Sequence, residues 1–128
     1  MTPTSGTPRK APSDKPLTLQ VERRESGAVV RLSGSCTMEI SSQIRHCLVG
    51  LAAERIPVIV LELSGLEFID STGLGGIVAA HLKARHHQGS IRLVNPQDAI
   101  RDVLQMTRLT KLFPVYADVD RALTDRPG

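Results

Sequence analysis

Polar and apolar positions alternate at the start of the patterned region. Leu17, Leu19 and Val21 are interleaved with Thr18, Gln20 and Glu22, the period of a half-buried β-strand. Ser26-Gly27 predicts a turn, and Ala28 to Ser33 a second strand that pairs with the first as a hairpin. Gly34-Ser35-Cys36 breaks the pattern. Thr37 can then cap a helix whose apolar stripe is Ile40, Ile44, Leu48 and Leu51, with Glu39, Gln43, Arg45 and Glu54 facing water. Pro57 introduces a third strand, Val58-Ile59-Val60-Leu61-Glu62-Leu63, short and rich in β-branched residues. Leu74, Ile77, Val78 and Leu82 return to helical spacing through Arg85, and Gln88-Gly89-Ser90 ends that helix. Ile91 to Val94 is a fourth strand. Asn95 as cap, Pro96 in the first helical position and Asp98 near the dipole's positive end predict a third helix. Its inner face is Ile100, Val103, Leu104 and Thr107. Leu112 to Tyr116 predicts a fifth strand, placed at an edge by Pro114. Asp118 caps a last short helix with Val119, Ala122 and Leu123 inside. The order β-β-α-β-α-β-α-β-α predicts an α/β fold, a mixed, mostly parallel five-stranded sheet with about four helices.

The segment between the third strand and the second helix carries the candidate chemistry. It reads Asp70-Ser71-Thr72-Gly73-Leu74-Gly75-Gly76. Ser71 stands where strand hands over to helix, a natural N-cap position. Three glycines within four residues are poor helix formers, each costing roughly 1 kcal/mol relative to alanine. Bare backbone at a helix entrance points to something that approaches closely. Taken by itself, the strand-to-helix position favours a structural cap; the glycines weigh the other way.

Composition narrows the function. The first sixteen residues hold four of the eight prolines and carry +2 of the formal net charge of +3, which leaves the remainder near +1. They read as a flexible tail, with residues 17–123 as one domain and 124–128 as a short C-terminal tail. The basic pI is therefore mainly a property of the tail. One Tyr, two Phe and no Trp provide no stacking platform, so direct nucleic-acid binding is not expected. No stretch approaches a membrane span and no signal-peptide core precedes the first strand, which predicts a cytoplasmic protein without membrane insertion. Cys36 and Cys47 read as reduced, partly buried thiols. His81, His86 and His87 lack an i, i+4 pair and read as a solvated helix end rather than a metal site. Lys83, Arg85, His86, His87 and Arg92 read as wet basic surface. Gly73-Leu74-Gly75-Gly76 is not a dinucleotide fingerprint, no phosphate-loop lysine follows it, and no cofactor is expected. No set of nucleophile, base and orienting group is evident, so the chain does not read as an enzyme.

The element order, together with Leu63-Ser64-Gly65-Leu66-Glu67-Phe68-Ile69-Asp70-Ser71-Thr72-Gly73-Leu74-Gly75, resembles the STAS domain family, and more narrowly the bacterial anti-sigma-factor antagonists. The likeness runs from about Leu17 to Leu123 and includes Arg92-Leu93-Val94-Asn95 and Thr107-Arg108-Leu109-Thr110-Lys111-Leu112-Phe113. It implies that Ser71, or as second choice Thr72, is phosphorylated by an anti-sigma factor that is itself a serine kinase. The unmodified antagonist would capture that kinase through Asp70 to Gly76, and a metal-dependent serine phosphatase would restore the serine. One departure stands out: Gly34-Ser35-Cys36-Thr37 lacks the acid that family members often carry there. The resemblance also covers outputs outside sigma control, including another partner-switching pathway or a subunit of a membrane lipid-transport or transporter complex.

Overall fold

A computed structural model describes residues 15–36 and 41–125. Strands β1 (Thr18–Arg24) and β2 (Gly27–Cys36) form the expected antiparallel hairpin. Helix α1 (Ser41–Ala53) leads to β3 (Val58–Ile69), which runs parallel to β2. Helix α2 (Ser71–Arg85), β4 (Ser90–Val94), α3 (Asp98–Met106), a 3-10 turn at Leu109–Lys111, β5 (Val115–Tyr116) and α4 (Val119–Thr124) follow. The sheet order is β1-β2-β3-β4-β5, with every pair after the hairpin parallel. The predicted mixed sheet is the one observed.

Its two faces are covered unequally. Ala28, Val30 and Leu32 of β2, with Ile59, Leu61 and Leu63 of β3, point to one side and meet Ile44, Leu48 and Leu51 of α1 and Ile77, Ala80 and Ala84 of α2. Val29, Val60 and Val94 point to the other side, where Ala122 and Leu123 of α4 close a smaller cluster. This is the period-two alternation of a strand buried on both faces.

Several local expectations are corrected. Strands β2 and β3 run on past Gly34 and past Ser64-Gly65, because register shifts absorb both irregularities and let Cys36 pair with Ile69. Gly34 itself sits at φ +89°, and a Cβ there would collide with the carbonyl of Pro16. The N-terminal tail was expected through Pro16, yet Ser35 N–H donates to Lys15 O at 3.2 Å and Pro16 bridges Ser35. At the other end Asp125 belongs to the fold: Tyr116 Oη donates to its carboxylate at 2.6 Å. Asn95 does not cap α3. It adopts φ +54°, a left-handed conformation that asparagine tolerates, and Gln97 becomes the N-cap while its Nε2 donates to Ser64 O at 2.7 Å. Pro96 thus precedes the helix, whereas Asp98 is in its first turn. Thr107 is exposed rather than inward, its hydroxyl turned back on Val103 O at 2.7 Å. Only Val115 and Tyr116 of the expected fifth strand pair, at the sheet edge, and Phe113 is fully buried. Asp118 caps α4 as expected, accepting from Arg121 N–H at 2.7 Å. The predicted cap Thr37 and the stripe residue Ile40 lie outside the described residues, as do residues 1–14 and 126–128.

Candidate functional site

The Asp70–Gly76 segment closes the carboxyl end of β3 and opens α2. The expected cap moves by one residue. Asp70 is in extended conformation, and its Oδ1 accepts the Gly73 amide at 2.8 Å. Its backbone is fixed twice more, with its N–H on Cys36 O at 3.1 Å and its carbonyl accepting from Leu74 N–H at 3.0 Å. An aspartate there satisfies an orphan amide and places negative charge at the positive end of the helix. Ser71 is consequently the first helical residue. It is exposed, and among the described residues its hydroxyl makes no hydrogen bond. The amides of Ser71 and Thr72 are likewise unbonded. The structural duty sits on Asp70, and Ser71 is left over.

The three glycines divide. A Cβ on Gly73 would stand 2.7 Å from Cys36 Sγ and 2.8 Å from Ile69 Cγ1. A Cβ on Gly76 would stand 2.9 Å from Arg45 Cβ and 3.1 Å from that residue's Cα and N. What approaches these two closely is the chain itself: the ends of β2 and β3 at Gly73, and α1 at Gly76. Gly75 is exposed and has nothing within 4 Å of its absent Cβ. Of the seven residues expected to face a partner, Gly73 and Gly76 are buried, while Ser71, Thr72 and Gly75 lie open. Gly75 is four residues and Leu82 eleven residues from Ser71, so helical periodicity places all three on one face. Leu82 is 58 % exposed.

Cys36 lies directly beneath the segment, fully buried; burial, reinforced by the nearby Asp70 carboxylate, pushes its thiol up to about 11. It is a packing thiol. Both cysteines are free, and Cys47 is half-buried. His81 is not at a solvated end. It is 6 % exposed, stands edge-on to Phe113 at 5.1 Å between ring centroids, and leaves Nδ1 without a partner. Burial, then the neighbouring Arg85 charge, lowers its pKa below the usual imidazole value. Arg92 is not surface either: it is buried on the α4 side, and its Nη1 donates to Ala122 O at 2.7 Å and Asp125 O at 2.6 Å. No group of His, Cys, Asp and Glu among the described residues could hold a metal ion. No described helix is long and apolar enough to cross a membrane.

A mixed five-stranded sheet with a serine at the mouth of its second helix defines a regulatory α/β module. The STAS domain family model matches residues 18–122, and the chain belongs to that family. An anti-sigma F factor antagonist from Paenibacillus polymyxa is 28 % identical over 110 residues, covering 85 % of this chain and 94 % of the relative. The crystal structure of an anti-sigma factor antagonist from Mycobacterium paratuberculosis superposes with a TM-score of 0.77 at 30 % identity, covering 89 % of this chain and 97 % of that one. The phosphorylated form of SpoIIAA, a Bacillus cell fate determinant, shares the fold at a TM-score of 0.65 and 23 % identity, over 79 % of this chain and 93 % of that one.

Proposed function

We propose that this protein is an anti-sigma-factor antagonist. Unmodified, it captures an anti-sigma factor that is a serine kinase; phosphorylation of Ser71 releases that partner, and a serine phosphatase resets the switch. It works in the cytoplasm as a substrate of other enzymes and not as an enzyme. The observation that carries this reading is the division of labour at the start of α2. Asp70 provides the cap, so the exposed Ser71 hydroxyl is free to be modified without loss of the helix.

The energetics favour a switch of the interface. A phosphoryl group adds close to two negative charges and three acceptor oxygens. On Ser71 it would meet the unbonded amides of Ser71 and Thr72 at the positive end of α2, while Asp70 repels it. Each effect is on the order of 1 kcal/mol in exposed surroundings, so the fold persists. Against a partner seated over Gly75 and the helix face beyond it, the same dianion would be desolvated and unpaired. That costs several kcal/mol, and each 1.4 kcal/mol is about tenfold in affinity. The SpoIIAA structure shows that this architecture accommodates a phosphorylated state.

The test is capture from the native host with wild type and Ser71→Asp. The wild type should recover a sigma-binding serine kinase, and the variant should lose it while keeping its circular dichroism spectrum. Equal recovery by both proteins would refute the switch, and a melted variant would refute the claim that only the interface changes.

A further inference from the structure

At the end of α2 opposite Ser71, α1 and α2 frame a cavity of about 380 Å³ lined by Ala52, Ala53, Arg55, Lys83, His86 and His87. Its charge is unbalanced. Among the described residues none of the four basic side chains has a carboxylate partner. The neighbouring acid, Glu54, is held by Arg23 at 2.8 Å. His87 Nε2 is buried and finds no hydrogen-bond partner.

Helix ends alone do not account for this charge. The C-termini of α1 and α2 converge here, and each contributes about −0.5 elementary charge. Part of even that is already satisfied. Ala52 O accepts from Arg55 N–H, Lys83 O from His86 N–H, and Ala84 O from His87 N–H. Arg55 and Lys83 bring two full positive charges, so the cavity is net positive before either imidazole takes a proton. Arg55 offers a forked planar donor and Lys83 a compact ammonium, a pairing suited to phosphate oxygens. Ala52 and Ala53 form a small apolar wall that limits the size of the occupant.

We propose that this cavity binds a small free phosphate-bearing anion, of the inorganic phosphate, pyrophosphate or phosphate-monoester class. At 1.5 Å per residue, the fifteen residues of α2 separate it from Ser71 by about 22 Å. It is therefore a second site, and it does not depend on the switch proposed above.

The experiment is an amide NMR titration of the full chain with sodium pyrophosphate, run beside sodium chloride of matched ionic strength. Expected are saturating shifts centred on residues 52–55 and 83–87, absent with chloride. The double variant Arg55→Gln/Lys83→Gln should weaken binding by at least about tenfold, since each charged hydrogen bond lost is worth roughly that much. Both side chains are exposed, and native resonances elsewhere verify that the variant is folded. Lys83→Gln alone should weaken binding several-fold, which keeps the test decisive if the double variant misbehaves. Shifts that fail to saturate, match those with chloride, centre on Ser71, or survive the substitutions would overturn the proposal and leave the cations as counterweights to two helix ends.

Discussion

Three glycines in one helical turn should respond to alanine with opposite signs. At Gly75 an added Cβ meets nothing within 4 Å. Gly75→Ala therefore gains helix propensity without a packing penalty, about 1 kcal/mol. At Gly73 the new Cβ would lie 2.7 Å from Cys36 Sγ and 2.8 Å from Ile69 Cγ1. Relaxed heavy-atom contacts fall near 3.5–4.0 Å, so the overlap is about 1 Å against two buried side chains. At Gly76 the obstacle includes backbone, the Cα and N of Arg45 at 3.1 Å, so α1 as a whole must give way. Overpacking of this kind costs about 1–3 kcal/mol, and the propensity gain offsets at most about 1 of it. Urea unfolding followed by circular dichroism should rank Gly75→Ala above wild type and Gly73→Ala and Gly76→Ala below it. The spread should be about 2–3 kcal/mol. If Gly73→Ala or Gly76→Ala proved as stable as Gly75→Ala, the assignment of those two glycines to internal packing would be wrong. The stabilised Gly75→Ala protein should nevertheless lose affinity for its partner, because its methyl group stands on the face that carries Ser71.

Asp70→Ala should cost about 0.5–2 kcal/mol through loss of the α2 cap, whereas Ser71→Ala should stay within about 0.5 kcal/mol of wild type; chemical denaturation distinguishes them, and the reverse order would contradict the capping geometry. Arg92→Leu should cost about 2–4 kcal/mol, since it strands the carbonyls of Ala122 and Asp125, with loosening of α4 visible as faster amide exchange there. His81 is held neutral by burial, its folded pKa lying below the unfolded value. Its contribution is therefore fully present above about pH 6.5 and is lost as the pH falls through the folded pKa, because the unfolded chain then binds the extra proton. Replacing His81 with Leu should flatten the stability profile between about pH 6.5 and 5, and an unchanged slope would show that His81 does not titrate with unfolding.

The period-two and period-3.6 patterns were enough to read the sheet, its hairpin and the helices, because burial on defined faces is what those patterns encode. Boundaries were less legible. Ser64-Gly65 and Gly34-Ser35 look like turns, yet register shifts between β2 and β3 keep both in the sheet. Capping was misplaced by one residue at α2 and by two at α3. Asp70 and Ser71 are both good caps by type, and only the tertiary hydrogen bond from Asp70 N–H to Cys36 O decides between them. Asn95 was drawn out of the cap by its left-handed backbone. The burial of Arg92 had one faint signal, its place in the apolar run Ile91 to Val94, but its role depends on where α4 docks. Of the glycine cluster, sequence conveyed that something comes close; only the fold shows that at Gly73 and Gly76 it is the protein itself.

The account stands most directly on the modification state of Ser71. Phosphopeptide mass spectrometry of the protein isolated from its own host, beside Ser71→Ala, should find phosphate on Ser71 in the wild type and none in the variant. Phosphate confined to another residue, or none at all through growth, starvation and stress, would contradict the switch.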